Sequence, residues 1–296
     1  SMTAWLEVVV PTSVAAADEV AAELIESVAG AQSGTQVRGD EVVFWVAIDE
    51  GEQALEDSRA VARRLAARGL SIDPDGVRSQ PAVPEEEWRD AWKKYFHVTR
   101  LTDRFVVVPS WESYTARADD VVLDLDPGQA FGTGAHASTQ LLLAALESMH
   151  ADGRPVSRFC DVGCGSGILS IAAAKLWPQS TGIAVDVDSL AITATDENAG
   201  NNGVGQRIAA STTAAGAIDE RFELVLANIQ AHVLTALIDD ITSLVAPGGT
   251  LMLSGLLTSQ AADVAARYQE RGFEAPELTT STRDPEWTSA ILRRPA

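Results

Sequence analysis

The segment Asp161-Val162-Gly163-Cys164-Gly165-Ser166-Gly167 stands between two apolar runs, and its glycines are spaced GxGxG. Glycine at such a junction permits a tight turn and lets backbone N–H groups approach a ligand closely. The spacing differs from the GxGxxG of dinucleotide enzymes, and the chain has no GxxxxGK followed by Ser or Thr to cradle a phosphate. Asp161 precedes the loop and Asp186 ends the next strand, where a carboxylate can accept both hydroxyls of a ribose. Asp186 is equally placed to serve as an acid at a helix start, a duty Asp188 can take instead. A nucleoside-type ligand is expected here, with Asp161, Gly163, Gly165 and Asp186 as its candidate contacts.

Two further constellations offer chemistry. Residues 126–136 (DPGQAFGTGAH) are glycine-rich and precede a helix beginning near Ser138. Ser138 or Thr139 can bond backbone groups at that helix start. The length of the segment and its Phe131 suit a lid over a ligand as well as a plain turn with a cap. The other constellation is Leu226-Ala227-Asn228-Ile229-Gln230-Ala231, at the C-terminal end of a strand, the edge where open α/β sheets bind ligands. The Asn228 amide offers one acceptor and two donors, so it can hold an amine through its oxygen, cap the following helix, or do both.

These residues need a scaffold, and the periodicity supplies one. Strands are expected at Phe105–Pro109, Val121–Leu125, Arg158–Val162, Gly182–Asp186, Phe222–Ala227, Thr250–Ser254, Glu274–Thr279 and Thr288–Arg293. Helices are expected at Ser138–His150, Ile168–Trp177, Ser189–Asn201, Ala231–Val245 and Ser259–Arg271. Strands separated by helices of that length specify βαβ units, hence a doubly wound α/β fold with a mostly parallel sheet. The first 80 residues form a separate unit, with strands at Trp5–Val10 and Glu41–Ile48, helices at Ala15–Val28 and Asp57–Gly69, and a further strand opening at Leu70–Ile72. That alternation points to a small ferredoxin-like α+β domain. Between the two, Glu85–Phe96 reads as a linking helix whose Trp88, Trp92, Tyr95 and Phe96 share one face, suited to packing. The expected division is therefore 1–80, 81–98 and 99–296.

The 42 acidic against 22 basic side chains leave a net charge of −20, which repels nucleic-acid backbones. Such a charge keeps a chain soluble and also suits a basic protein partner. Two cysteines, and four histidines without metal-ligand spacing, point to no metal and a reduced, cytoplasmic compartment. No apolar stretch is long enough to anchor the chain in a membrane. A monomer is the expected state.

The acid–glycine loop–strand–acid pattern resembles the S-adenosylmethionine site of the Rossmann-like methyltransferases. More specifically, DPGQAFGTGAHAST (Asp126–Thr139), DVGCGSGILSIAAAKL (Asp161–Leu176) and LANIQA (Leu226–Ala231) resemble signature segments of the bacterial ribosomal protein L11 methyltransferases, the PrmA family. So do EEEWRDAWKKYFHV (Glu85–Val98) and VVPSWESY (Val107–Tyr114). The resemblance implies a seven-stranded catalytic domain joined by a helical linker to a small domain that recognises the ribosomal protein. It also implies S-adenosylmethionine as cofactor, held by Thr139, Gly163, Asp186 and Asn228 with Phe131, Gly132 and Thr133 nearby. The implied methyl acceptors are lysine side chains and the N-terminal amine of protein L11. Two departures stand out. The lid reads His136-Ala137-Ser138-Thr139 where the family has HPTT, and the first 80 residues match poorly.

On this reading Asn228 orients the amine, while His136 is either a proton acceptor or a structural part of the lid. The alternatives are the same chemistry on another amine, an idle S-adenosylmethionine-binding module, and a nicotinamide enzyme, the last opposed by the glycine spacing.

Overall fold

The computed structural model describes residues 5–82, 96–126 and 137–296, and these fall into two compact units that divide between His97 and Val98. The linking helix expected over 85–96 lies outside the described residues except for its last position.

The smaller unit runs β1 (Trp5–Pro11), α1 (Ala17–Ser27), β2 (Gln36–Arg38), β3 (Glu41–Ala47), α2 (Gly51–Ala67) and β4 (Arg78–Pro81). Its sheet has the order β2-β3-β1-β4, every neighbouring pair antiparallel. Two βαβ halves thus interleave, each giving one middle strand, which is the ferredoxin-like arrangement. The β-branched and aromatic runs WLEVVVP and EVVFWVA occupy the middle, as their burial requires. The last strand is not at Leu70–Ile72 but at β4, whose sequence RSQP is polar. Pro81 pairs with Leu6 there, and an edge strand tolerates the missing N–H donor of proline. Helix α2 starts six residues before the expected position, at Gly51, where a Cβ would stand 2.5 Å from Leu6 Cδ1.

The larger unit opens with a three-stranded sheet of β5 (Thr99–Arg100), β6 (Phe105–Val108) and β7 (Val121–Asp124). Then follow α3 (Ala137–Ala151), β8 (Arg158–Val162), α4 (Ile168–Leu176), β9 (Thr181–Val185), α5 (Ser189–Asn201), β10 (Ile208–Ser211), β11 (Phe222–Asn228), α6 (Ala231–Ala236), α7 (Ile238–Thr242), β12 (Val245–Leu257), α8 (Thr258–Gln269), β13 (Glu277–Thr280) and β14 (Trp287–Arg293). The large sheet has seven strands in the order β10-β9-β8-β11-β12-β14-β13. The five from β10 to β12 are parallel, and β14 runs antiparallel to both its neighbours. The expected β6 and β7 strands exist, but they form their own sheet.

Alternation along the central strands builds two cores. Phe159, Leu224 and Leu226 pack on the face with α3 and α4, while Cys160, Val162, Val225 and Ala227 pack on the face with α6, α7 and α8. Burial on both faces explains why these strands read as continuous apolar runs. The single helix expected over 231–245 is broken at Leu237, and Val245 belongs to β12. The sheet claims it there, because Phe222 N–H bonds Leu244 O and Phe222 pairs with Val245.

Strand order reverses between β8 and β11: from β8 the chain winds outward through β9 and β10, and from β11 through β12. The crevice at such a reversal, at the carboxyl ends of the strands, is where open α/β sheets bind ligands. The glycine loop follows β8 and Asn228 ends β11, so the sequence candidates flank this point.

Candidate cofactor and active site

The loop between β8 and α4 is tightly held. Gly163 and Cys164 both donate to Val185 O, at 2.8 and 3.0 Å, which folds the turn over the end of β9. Gly163, Gly165 and Gly167 all have positive φ, at 75°, 53° and 84°. At Gly163 a Cβ would also meet Ile229 Cγ2 at 2.2 Å, so this glycine lets the residue after Asn228 lie on the loop. Among the described residues no atom lies within 4 Å of the side-chain position of Gly165, which faces open space.

Asp186 closes the loop from β9. Its Oδ2 accepts from Gly165 N at 3.0 Å and its Oδ1 from Asp188 N at 3.0 Å. A carboxylate has about four acceptor positions, so two remain for other donors. Asp188 caps α5, with its side chain accepting from Leu190 N, which frees Asp186 from that duty. The next residues present apolar surface: Val187 is 94% exposed and Leu190 62%.

Asp161 goes elsewhere. It is 1% exposed, and its Oδ2 accepts from Ser170 Oγ at 2.6 Å, so the carboxylate braces the first turn of α4 beneath the loop. Burial pushes its carboxyl up to about 6, opposed by the Ser170 hydrogen bonds and reinforced by the Asp186 charge. A carboxyl with a higher pKa folded than unfolded favours the fold most when protonated. That contribution is complete at low pH and fades as pH climbs from about 4, the unfolded value, through the folded one. Between pH 5 and 7 the wild type is expected to lose about 1 kcal/mol more stability than Asp161→Asn. Urea unfolding of both proteins at both pH values measures this, and identical pH slopes would show that Asp161 is not the titrating group. Cys160 and Cys164 are free, and burial raises both thiols, that of Cys164 to about 12, so both stay protonated and unreactive.

Asn228 and Thr139, far apart in sequence, meet: Asn228 Nδ2 donates to Thr139 Oγ1 at 3.1 Å. The amide nitrogen is thereby engaged, and Oδ1 accepts from no described side chain. Asn228 does not cap the next helix, whose N-cap is Gln230. Behind it Ser254 Oγ donates to Ser138 O at 2.8 Å, tying the end of β12 to the start of α3. Gly255, with φ 82°, lies against the Ile229 backbone, and a Cβ there would be 2.5 Å from Ile229 O. Ile229 is thus wedged between two glycines, which fixes the direction in which Asn228 leaves the strand.

Gly163, Gly165, Asp186, Thr139 and Asn228 therefore converge at the reversal point, whereas Asp161 is turned inward. Phe131, Gly132, Thr133 and His136 lie outside the described residues. Ser170, Val187, Leu190, Thr195, Asn198 and Gly255 belong to the surroundings of the site without having been singled out in the sequence. Gly255 alone carried a readable signal, as a glycine inside an apolar strand run marks a bulge or a close backbone approach.

A reversal-point glycine loop with an acid on the adjoining strand, in a sheet where β14 runs antiparallel beside five parallel strands, defines a Rossmann-like methyltransferase. The family model described as ribosomal protein L11 methyltransferase (PrmA) matches residues 4–295, and the chain belongs to that family. The protein named ribosomal protein L11 methyltransferase from Citrifermentans bemidjiense is 41% identical over 251 residues, covering 82% of this chain and 80% of its own length. A protein of the same name from Clostridium botulinum is 34% identical over 245 residues, covering 83% and 76%. A crystal structure of ribosomal protein L11 methylase from Lactobacillus delbrueckii subsp. bulgaricus is 33% identical, with a TM-score of 0.59, and covers 68% of this chain and all of that one.

Proposed function

We propose that this enzyme transfers methyl groups from S-adenosylmethionine to lysine side chains, the N-terminal amine, or both, of ribosomal protein L11. The observation that carries the reading is the amide of Asn228, held by Thr139 beside the glycine loop with an oxygen that accepts from no described side chain, in a chain that belongs to this family along nearly its whole length.

The residues fit the donor. Asp186 has two acceptor positions left for ribose hydroxyls, Val187 and Leu190 offer apolar surface for a base, and open space at Gly165 lets a ligand lie on the loop. When bound, S-adenosylmethionine supplies a methyl carbon already activated by the positive sulfonium. The protein's task is to exclude water, align the amine and keep it neutral. Alignment of this kind supplies roughly 7–11 kcal/mol in favourable cases. A lysine in water has a pKa of about 10.4, so only about one in two thousand is neutral at pH 7. Desolvation in the crevice lowers that pKa and enlarges the reactive fraction. Asn228 Oδ1 would accept one N–H of the incoming amine and so orient its nitrogen within the crevice. Of the sequence candidates, Gly163, Gly165, Asp186, Thr139 and Asn228 take direct parts, Asp161 supports the loop from within, and the family resemblance adds Phe131, Gly132 and Thr133 as further donor contacts.

We assign substrate recognition to the ferredoxin-like domain, residues 1–80, joined through 81–98 to the catalytic part, 99–296. The net charge of −20 favours a basic protein substrate, and we place the reaction in the cytoplasm. Among the described residues no helix is long and apolar enough to cross a membrane.

The test is transfer of label from methyl-labelled S-adenosylmethionine into purified protein L11, followed by mass spectrometry. L11 is expected to gain one or more methyl masses on amines. Label entering other proteins but not L11 would overturn the substrate, and a protein that binds the donor without transferring label would be the idle module.

A further inference from the structure

We propose that a row of polar side chains on α5 and its C-cap, Thr195, Asn198 and Asn202, sets the shape of the glycine loop, and that Thr195 and Asn198 are positioning residues for donor binding. The inference rests on the reading of that loop as the S-adenosylmethionine site.

The three residues are spaced i, i+3 and i+7, so they share one face of the helix. Thr195 is wholly buried, and its Oγ1 donates to Gly165 O at 3.0 Å and contacts Cys164 Sγ at 3.3 Å. One turn on, Asn198 Nδ2 donates to Ser166 O at 2.8 Å. Asn202 anchors the row, since its amide both accepts from Asp124 N at 2.8 Å and donates to Asp124 O at 2.9 Å, with Asn198 O a further acceptor at 2.8 Å. The loop also lies directly on the helix, because a Cβ at Gly167 would be 2.9 Å from Thr195 Cγ2.

Two consecutive loop carbonyls are therefore pinned toward α5. In a planar trans peptide the carbonyl and the following N–H point in opposite directions. Fixing Gly165 O on Thr195 thus turns Ser166 N–H to the other side of the loop. A stretch with three positive-φ glycines has many conformations open to it, and the two side-chain clamps select one. A ligand that binds a loop already held in shape avoids the cost of ordering it.

The test is calorimetric titration of the full chain with S-adenosylmethionine, together with KM for protein L11. Thr195→Val keeps the shape against Gly167 and removes the hydroxyl, whereas Thr195→Ser keeps the hydroxyl and removes the methyl. Donor affinity is expected to fall about tenfold in Thr195→Val and to stay within about twofold of wild type in Thr195→Ser, with KM for L11 unchanged in both. A role in packing alone reverses that order. Wild-type affinity in Thr195→Val, or weaker binding in Thr195→Ser than in Thr195→Val, overturns the proposal. Should Thr195→Val not fold, Asn198→Ala, at a less buried position, is expected to weaken donor binding in the same selective way, and unchanged affinity there also overturns it. If wild-type protein does not bind the donor, it is the function reading that fails.

Discussion

Asn228→Ala is expected to lower the methyl-transfer rate roughly a hundredfold while leaving the affinity for S-adenosylmethionine within a few-fold of wild type. The reason is geometric: misplacing a reacting atom by about 1 Å can cost that much. Alanine removes the amide that Thr139 orients at the end of β11. Asn228→Asp gives a sharper contrast. A carboxylate beside the amine favours its protonated, unreactive form, so activity should be low at neutral pH and recover partly as pH rises. Single-turnover rates across pH measure both variants. Near-normal turnover in Asn228→Ala would remove Asn228 from the orientation of the amine.

The second large effect is expected at Asp186. Two hydrogen bonds from ribose hydroxyls to an ionised acceptor contribute about 1.5–3 kcal/mol each, so Asp186→Ala should weaken donor binding at least a hundredfold. The same change releases Gly165 N, which now bonds Oδ2, so the loop loses its tie to β9 as well. Asp186→Asn keeps one acceptor oxygen and should fall between the two. Equilibrium binding to labelled donor reads the result directly. An affinity for Asp186→Ala within about threefold of wild type is incompatible with a ribose contact at this carboxylate.

The parts of the site that were legible in sequence are those whose function is local. Glycine spacing, the acid ending the next strand and the asparagine after an apolar run are each written in a few residues, though the three lie at 163–167, 186 and 228, and the βαβ rule places all three at one sheet edge. Asp161 shows where such reading stops. The motif spells an acid before the loop, but its direction is decided by Ser170, which only the following helix brings into reach. The meeting of Thr139 with Asn228 needed the strand order. Thr195 and Asn198 were hidden because α5 is polar on most of its surface. The same limit governs the fold. Central strands announce themselves through apolar runs, whereas the edge strands β2, β4 and β10, reading QVR, RSQP and IAAS, carry short, small or polar sequences that negative pressure against edge-to-edge pairing favours.

The position of β14 has a bearing on how the protein is made. That strand lies between β12 and β13, and among the described residues β13 pairs with no other strand. Until residues 287–293 have emerged from the ribosome, the large sheet stops at β12, with a long apolar edge open to solvent and β13 left dangling. Completion of the catalytic unit therefore awaits a strand translated after all of its sheet partners, whereas the small sheet, whose strands all precede the catalytic unit, is free to form co-translationally well beforehand.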